Sequence, residues 1–356
     1  QNDLWEQFAQ FIEQIKSHQY HCQIILDEKG LSPQQYAVFS LTHFQDHPSI
    51  SYDSISQLLS DYYAKKNQFQ NIHQKSSDLR KIILLLLDRN RKKQLLQEKQ
   101  LEDTNKMEQY KIYGELLHTY AYLAKEGDKF IEVENYYTNE QLRIPLDVRY
   151  SAIDNATRYF NKYTKYKRTK EALCVHLLET QHTIEHLESI ENALSLAQDA
   201  NDLAVIRQEM FEFGYIKKQF SSKNGKAKHT KIAKTRPLHY VTASGFHIYV
   251  GKNNYQNDEI TFKMATGNDW WFHAKKIPGS HVLVKTEGNE LPDDVFVIAA
   301  QLAGYYSSGK ENEKLEVDYL QKKNVKKPAG ALPGFVVYYT NFSMMIEPEI
   351  KGILEG

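Results

Sequence analysis

Leu173-Cys174-Val175-His176-Leu177-Leu178-Glu179-Thr180-Gln181-His182-Thr183-Ile184-Glu185-His186-Leu187-Glu188-Ser189-Ile190-Glu191-Asn192-Ala193-Leu194 is the stretch on which the fold turns. Leu173, Leu177, Thr180, Ile184, Leu187, Glu191 and Leu194 follow one another in alternating steps of four and three, the spacing of a coiled-coil seam with two polar lapses. Outward from this seam the pattern extends into one long helix, from about Asp154 to Ala200. Upstream, Ile72 to Ala124 carries almost no helix breaker. Ile72, Leu79, Ile83 and Leu86 keep the same spacing before Leu95 and Leu101 continue it less regularly, and Gly127-Asp128 interrupts it. Two long helices joined by a short insert predict an antiparallel hairpin. At a rise of 1.5 Å per residue, about 40–50 paired residues make an arm of roughly 60–75 Å. Such an arm exposes most of its surface, which accounts for a mean hydropathy of −0.62 beside 41% apolar residues.

The insert alternates β-like residues over Lys129–Glu134 and Gln141–Leu146 around Thr138-Asn139-Glu140, predicting a small hairpin whose end or edge Pro145 marks. A small tip lobe over about 126–168 follows. It closes on Arg158-Tyr159-Phe160-Asn161-Lys162-Tyr163-Thr164-Lys165-Tyr166-Lys167-Arg168, where tyrosines and cations alternate.

Before the arm, Leu4, Trp5, Phe8, Phe11, Ile12 and Ile15 predict an amphipathic helix over about 3–18. Strands are expected over His21–Leu26 and Tyr36–Thr42, and a helix over Ser54–Lys66. After the arm, a short helix covers about Leu203–Phe213. Lys217, Lys218, Lys223, Lys226, Lys228, Lys231, Lys234 and Arg236 then mark a basic linker over 216–236. A compact domain follows over 237–356. Strands are expected at His239–Thr242, Phe246–Val250, Trp270–His273, His281–Lys285, Leu315–Leu320, Gly334–Thr340 and Ser343–Ile346, and helices at Asp258–Thr266 and Leu291–Ser307. The fold class is α+β: a partial N-terminal α+β region over 1–66, a coiled-coil arm over 67–215, and a C-terminal α+β domain.

Formal net charge is +0, so no whole-protein field attracts nucleic acid and any such binding falls to local clusters. Cys22 and Cys174 are too few for a disulfide framework, which makes a reducing, cytoplasmic compartment the default. The longest apolar run, Ile82–Leu87, is far too short to span a bilayer, and no membrane partner is expected. The opening Gln1-Asn2-Asp3-Leu4 lacks a signal-peptide pattern and an initiator methionine, so the chain is expected to be a fragment.

Asp269-Trp270-Trp271-Phe272-His273-Ala274-Lys275-Lys276-Ile277-Pro278-Gly279-Ser280-His281-Val282 concentrates aromatics, histidines and lysines around a turn. His273 and His281 lack metal-ligand spacing and a neighbouring carboxylate or cysteine, so no metal site is expected. Ser280 and His281, adjacent on a strand, point to opposite faces, which defeats a nucleophile–base contact. Alternation puts Trp270 and Phe272 on one face and Trp271 on the other. Two of the three rings belong to the core, and a free ring can stack on a base. Lys275, Lys276 and the Pro-Gly-Ser-His turn are then the exposed contact. Lys326-Lys327-Pro328-Ala329-Gly330-Ala331-Leu332-Pro333-Gly334, preceded by Lys322 and Lys323, predicts a rigid cationic loop. Alone it reads as a solvated face before a turn. With the linker and the tip cluster it makes three cationic patches on a neutral protein, a distribution that suits an extended RNA surface. No phosphate-cradling glycine loop is present, so nucleotide hydrolysis has no support.

Several of these stretches, in order, resemble one family. Asp269-Trp270-Trp271-Phe272-His273-Ala274, Pro278-Gly279-Ser280-His281-Val282, Lys327-Pro328 and Pro333-Gly334-Phe335-Val336 resemble the signature of the NFACT-R domain. Lys75-Ser76-Ser77-Asp78-Leu79-Arg80, Tyr113-Gly114-Glu115-Leu116-Leu117, Asn135-Tyr136-Tyr137, Ile144-Pro145-Leu146-Asp147 and Asn155-Ala156-Thr157-Arg158-Tyr159-Phe160-Asn161-Lys162-Tyr163 resemble the same family's middle region. The resemblance to the NFACT family implies a non-catalytic, cofactor-free factor of ribosome-associated quality control. Its members bind a large ribosomal subunit obstructed by peptidyl-tRNA and recruit tRNA, and in bacteria the nascent chain receives a C-terminal alanine tail. The arm would reach toward the stalk base, with the globular parts near tRNA and ribosomal RNA.

The sequence departs from the family in lacking most of the NFACT-N domain and its Asp-Arg pair used for tRNA. Residues 1–66 resemble only the trailing part of that domain, including the end of its helix-hairpin-helix region, so this chain is expected to be deficient in tRNA selection. The residues expected on RNA are Lys162, Lys165, Lys167 and Arg168 at the tip, and Lys275, Lys276, Ser280, His281, Lys326 and Lys327 in the C-terminal domain. Asp269, Trp270, Phe272, His273, Pro278 and Gly279 are the domain signature. The alternative is a fibronectin-binding surface adhesin, an older family label that the missing signal peptide and wall anchor speak against.

Overall fold

The computed structural model describes residues 2–18, 20–27, 33–44, 47–217, 235–350 and 354–355. The basic linker expected over 216–236 falls mostly on 218–234, outside the described residues. Two compact units emerge, one of residues 1–83 with 189–356 and one of residues 84–188.

The first unit opens with α1 (Asn2–Lys16), followed by an antiparallel sheet in which β1 (Cys22–Leu26) lies between β2 (Pro33–Ala37) and β3 (Ser49–Tyr52). Cys22 and Ile24 bury against Leu58 and Tyr62, which lie in the first turns of α2 (Ile55–Asp103). That helix joins two stretches expected to be separate, because no Gly or Pro divides them. It also ends earlier than the sequence suggests. Thr104 turns its hydroxyl to the Leu101 carbonyl at 2.6 Å, and a 3₁₀ turn over Thr104–Lys106 leads into α3 (Met107–Thr119).

The second unit holds the remainder of the helical seam and a lobe. β4 (Phe130–Asn135) and β5 (Glu140–Pro145) form the expected hairpin, and α4 (Ala152–Leu196) the expected long helix. Gln94 bonds Gln181 at 3.0 Å, Gln97 accepts from Thr180 at 3.0 Å and Arg91 pairs with Glu188 at 2.7 Å, so α2 and α4 run antiparallel. Leu173, Thr180, Ile184, Leu187 and Leu194 are buried, as the spacing requires, while Leu95 and Leu96 are exposed. Part of the seam is therefore a polar layer, Gln97 on Thr180, in place of leucine. The lobe packs Leu116, Leu117, Ile131, Val133, Ile144, Ala156 and Tyr159 together. Gly114 belongs here for a steric reason: a Cβ on it would lie 2.9 Å from the Phe160 ring.

After α5 (Ala200–Glu212), the C-terminal domain is a seven-stranded antiparallel sheet. Its strands are β6 (Leu238–Val241), β7 (His247–Val250), β8 (Trp270–Ala274), β9 (Val282–Lys285), β10 (Leu315–Gln321), β11 (Phe342–Ile346) and β12 (Leu354–Glu355), in the order β11-β10-β8-β9-β7-β6-β12. One face packs on α7 (Asp293–Tyr305) through Phe272, Val282, Val284, Val295, Ala299 and Leu302. On the other face Trp271 buries against Leu320 and Val325, with Phe262, Val336 and Tyr338 beside them. Phe262 lies in a π-helical turn (Ile260–Met264) that continues α6 (Asn254–Glu259). The strand expected over Gly334–Thr340 does not form. Gly330 and Gly334 take positive φ, Pro328 and Pro333 lack a backbone donor, and the segment makes one bridge, Lys326 with Val337.

Candidate nucleic-acid interface

In the lobe, Lys162, Lys165, Lys167 and Arg168 are all exposed on α4. At about 100° per residue, Lys162, Lys165 and Arg168 descend one side of the helix, while Lys167 lies roughly 100° around from Arg168. The four therefore do not form a single stripe. Lys162 stands over the rings of Tyr110 and Tyr159 at 5.3 and 5.1 Å, and Tyr110 stacks on Tyr166. Tyr110 and Tyr159 thus orient Lys162. Arg158 covers Tyr150 at 4.2 Å and Arg143 covers Phe130 at 3.5 Å. Hydrogen bonds from Arg149 hold the Asp147 carboxyl down at about 2. Asn155, buried, accepts from the Asp147 amide and donates to the carbonyls of Asp147, Tyr150 and Ser151, which fixes the loop into α4.

In the C-terminal domain two signature residues, Asp269 and Phe272, are fully buried, and Trp270, His273, Pro278 and Gly279 are half-buried. Asp269 is fully buried and accepts from Lys285 Nζ at 2.6 Å, the Thr266 amide at 2.7 Å, the Thr286 amide at 3.0 Å and the Thr286 hydroxyl at 3.3 Å. Burial raises its pKa, but those hydrogen bonds outweigh burial and hold the carboxyl below its ordinary value. Asp269 thereby ties the entrance of β8 to the exit of β9. Phe272 and Trp271 are both fully buried, and Trp270 packs edge-on against Phe296. The stacking role offered for the outward ring is thus corrected. β8 is a central strand covered on both faces, so no ring of Trp271 is free for a base. Pro278 accepts from the Ser308 amide through its carbonyl, and Gly279 lies against Ser307, where a Cβ would approach to 3.0 Å.

Ser280 and His281 were expected on an exposed turn, and both are buried. His281 Nδ1 lies 2.8 Å from Thr261 Oγ1 and 3.2 Å from the Asn257 carbonyl, and the His281 amide donates to Asn257 Oδ1. A carbonyl only accepts, so Nδ1 carries the proton. Trp271 Nε1 donates to the same Thr261 oxygen at 3.2 Å. Burial drives His281 well below its usual pKa, and burial lowers half-buried His273 to about 4. Both imidazoles are therefore neutral at neutral pH and offer no charge to a phosphate.

Two expected cations are largely neutralised. Lys275 donates to Glu316 at 2.6 Å and lies 3.8 Å from Asp318, and Lys327 pairs with Asp258. Lys276 and Lys326 remain exposed. Among the described residues no group of three or more His, Cys, Asp or Glu is placed to hold a metal ion, and no helix is long and apolar enough to cross a membrane.

Sequence reasoning passed over Gly251-Lys252-Asn253-Asn254-Tyr255-Gln256-Asn257. Lys252, Asn253, Asn254, Gln256 and Asn257 are all buried. Lys252 pairs with Asp202 at 2.8 Å and Asn254 donates to Glu209 and Ser189, so this stretch binds the sheet domain to α5 and the end of α4. Its legible signal was Asn253-x-x-Gln256, a helix-start pattern: Asn253 caps α6 by accepting from the Gln256 amide at 3.0 Å. Gly251 is required because a Cβ would fall 2.2 Å from Asn257 Oδ1.

A helical hairpin with a small β-containing lobe, and an antiparallel sheet domain whose signature is buried or half-buried, define the class of architecture. Residues 1–230 match the NFACT N-terminal and middle domains, and residues 236–338 match the NFACT protein RNA binding domain. The chain belongs to the NFACT family. It is 37% identical over 322 residues to the Rqc2 homolog RqcH of Streptococcus suis (strain 05ZYH33), covering 90% of this chain and 56% of that protein. It is 33% identical over 323 residues to the Rqc2 homolog RqcH of Bacillus subtilis (strain 168), covering 90% and 55%. The chain thus spans about half the length of the curated relatives it matches. Among solved structures, the C-terminal part of the fibronectin/fibrinogen-binding protein from Streptococcus suis superposes with a TM-score of 0.60 at 35% identity, over 78% of this chain and 96% of that one.

Proposed function

We propose that this chain serves ribosome-associated quality control as a cytoplasmic, non-catalytic RNA-binding factor. It engages a large ribosomal subunit obstructed by peptidyl-tRNA, and its full-length counterpart recruits tRNA for C-terminal alanine tailing of the stalled chain. One observation carries the reading: the likeness to RqcH runs through nine-tenths of the chain, helical hairpin and RNA-binding domain together. The division into an arm over 67–215, a linker over 216–236 and an RNA-binding domain over 237–356 belongs to the same proposal, with Lys162, Lys165, Lys167 and Arg168 docking the arm on ribosomal RNA.

Sedimentation of the full-length protein with intact and split ribosomes tests it. The expected result is co-sedimentation with large subunits carrying peptidyl-tRNA. Replacing the four tip cations with Ala weakens that binding and flattens its salt dependence by about 0.7–0.9 per lost phosphate contact. Absence from the large-subunit fraction refutes the reading. The likeness to the fibronectin/fibrinogen-binding protein of Streptococcus suis supports a second reading, fibronectin binding. Saturable binding to immobilised fibronectin, without ribosome association, would favour it.

A further inference from the structure

We propose that the C-terminal domain holds the phosphate backbone of RNA on a lysine patch around Phe262, formed by Lys263, Lys322, Lys323 and Lys326, and not on its aromatic-histidine signature. The inference rests on the RNA-binding reading above and names the surface that performs it.

The turn after β10 is pinned beside the loop that enters β8. Lys322 donates its amide to the Asp269 carbonyl at 2.9 Å, and Lys323 donates to the Gly267 carbonyl at 3.1 Å. Lys322 Nζ then stands over the Phe262 ring, 5.5 Å from its centroid, with Lys263 next along the π-helical turn. Val325 closes the turn on the Lys322 carbonyl, and Lys326 follows, its backbone clamped to Val337 in both directions. Lys322 thus stands against the turn that carries Lys263, although the two segments are far apart in the chain. Lys263, Lys323 and Lys326 are exposed, and Lys322 partly so.

Ion pairing separates this patch from four of the domain's other lysines, while Lys276, Lys310 and Lys314 also lie outside its ion pairs among the described residues. Among the described residues, the domain's ion pairs engage Lys252, Lys275, Lys285 and Lys327. Lys263, Lys322, Lys323 and Lys326 have no carboxylate partner there, so their charge is available to an incoming anion. Phe262 packs inward on Trp271, Leu320 and Val325, and Lys322 covers the face it turns outward. The patch therefore supplies positive charge without an open stacking ring, which suits backbone contacts that carry no base preference.

The test is fluorescence anisotropy of the 356-residue chain with labelled double-helical RNA hairpins of two unrelated sequences, across a salt series. The wild-type chain binds both alike. K263Q/K322Q/K323Q/K326Q lowers the slope of log K against log salt by about 3, since each lost phosphate contact removes about 0.7–0.9. Affinity falls by more than about tenfold at low salt, equally for both hairpins. K275Q/K276Q changes the slope by less than about 1, and the quadruple variant leaves the thermal unfolding midpoint unchanged. If the wild type binds and the quadruple variant keeps its slope, or if K275Q/K276Q causes the larger loss, this surface is wrong while RNA binding stands. If the wild type binds neither hairpin and no ribosomal subunit, the RNA-binding reading falls and takes this inference with it.

Discussion

Asp269→Asn is an almost isosteric change that should cost the C-terminal domain about 3–5 kcal/mol. Both carboxylate oxygens are committed to donors: Oδ2 accepts from Lys285 Nζ and the Thr266 amide, and Oδ1 from the Thr286 amide and hydroxyl. Whichever way an asparagine amide is turned, its NH2 group faces at least one buried donor that cannot accept: Lys285 Nζ and the Thr266 amide on one side, the Thr286 amide on the other, where the Thr286 hydroxyl can rotate to accept. Each orphaned buried donor costs about 1–3 kcal/mol, and breaking one side of a buried ion pair about 3–5. The assay is urea unfolding followed by the fluorescence of Trp270 and Trp271, in a Trp5→Phe background so that β8 alone reports.

A pH series adds a second, independent check. The Asp269 pKa is lower in the folded than in the unfolded state, so its stabilisation is complete above the unfolded value of about 3.9 and is lost as pH falls through the folded value. The gap between wild type and variant should therefore be full at pH 7 and narrow progressively below about pH 4. A loss smaller than about 1 kcal/mol, or a gap independent of pH, would refute the structural role given to this carboxylate.

Two further outcomes follow from packing. Gly114→Ala places a Cβ 2.9 Å from the Phe160 ring and should destabilise the lobe by about 1–3 kcal/mol, seen as faster amide exchange in β4 and β5; Phe160→Leu in the same chain should restore part of it. Thr180→Ala strands the buried Gln97 amide and should cost about 1–3 kcal/mol in urea unfolding, whereas Thr180→Leu with Gln97→Leu should be near neutral or stabilising, a sign reversal that a double-mutant cycle reads directly.

What the sequence determined by itself was periodic and local. Alternating steps of four and three fixed which side of α4 is buried, and the polar lapse at Thr180 became a real polar layer because its partner Gln97 occupies the matching level of α2. Alternation likewise placed Trp270 with Phe272 and opposite Trp271, and the strands of the small hairpin came within a residue of their observed ends. Elements end where propensity and side-chain hydrogen bonds compete, so boundaries were less legible: α2 stopped at a threonine turn, and the Gly-Pro-rich segment near residue 334 formed a bridged loop in place of a strand.

The tertiary structure alone decided what is exposed and what is charged. A strand's alternation separates its two faces without stating whether either meets water. β8 is central and covered by α7 on one side and by Phe262, Val325, Val336 and Tyr338 on the other, so Trp271 and His281 went inside. Nor can a run of lysines show which charges remain. Lys275 found Glu316, Lys327 found Asp258 and Lys252 found Asp202, all far along the chain, while Lys322 and Lys323, in the same run as Lys327, found no carboxylate among the described residues. Burial and ion pairing depend on neighbours in space, and the periodicity of a single chain carries only neighbours in sequence.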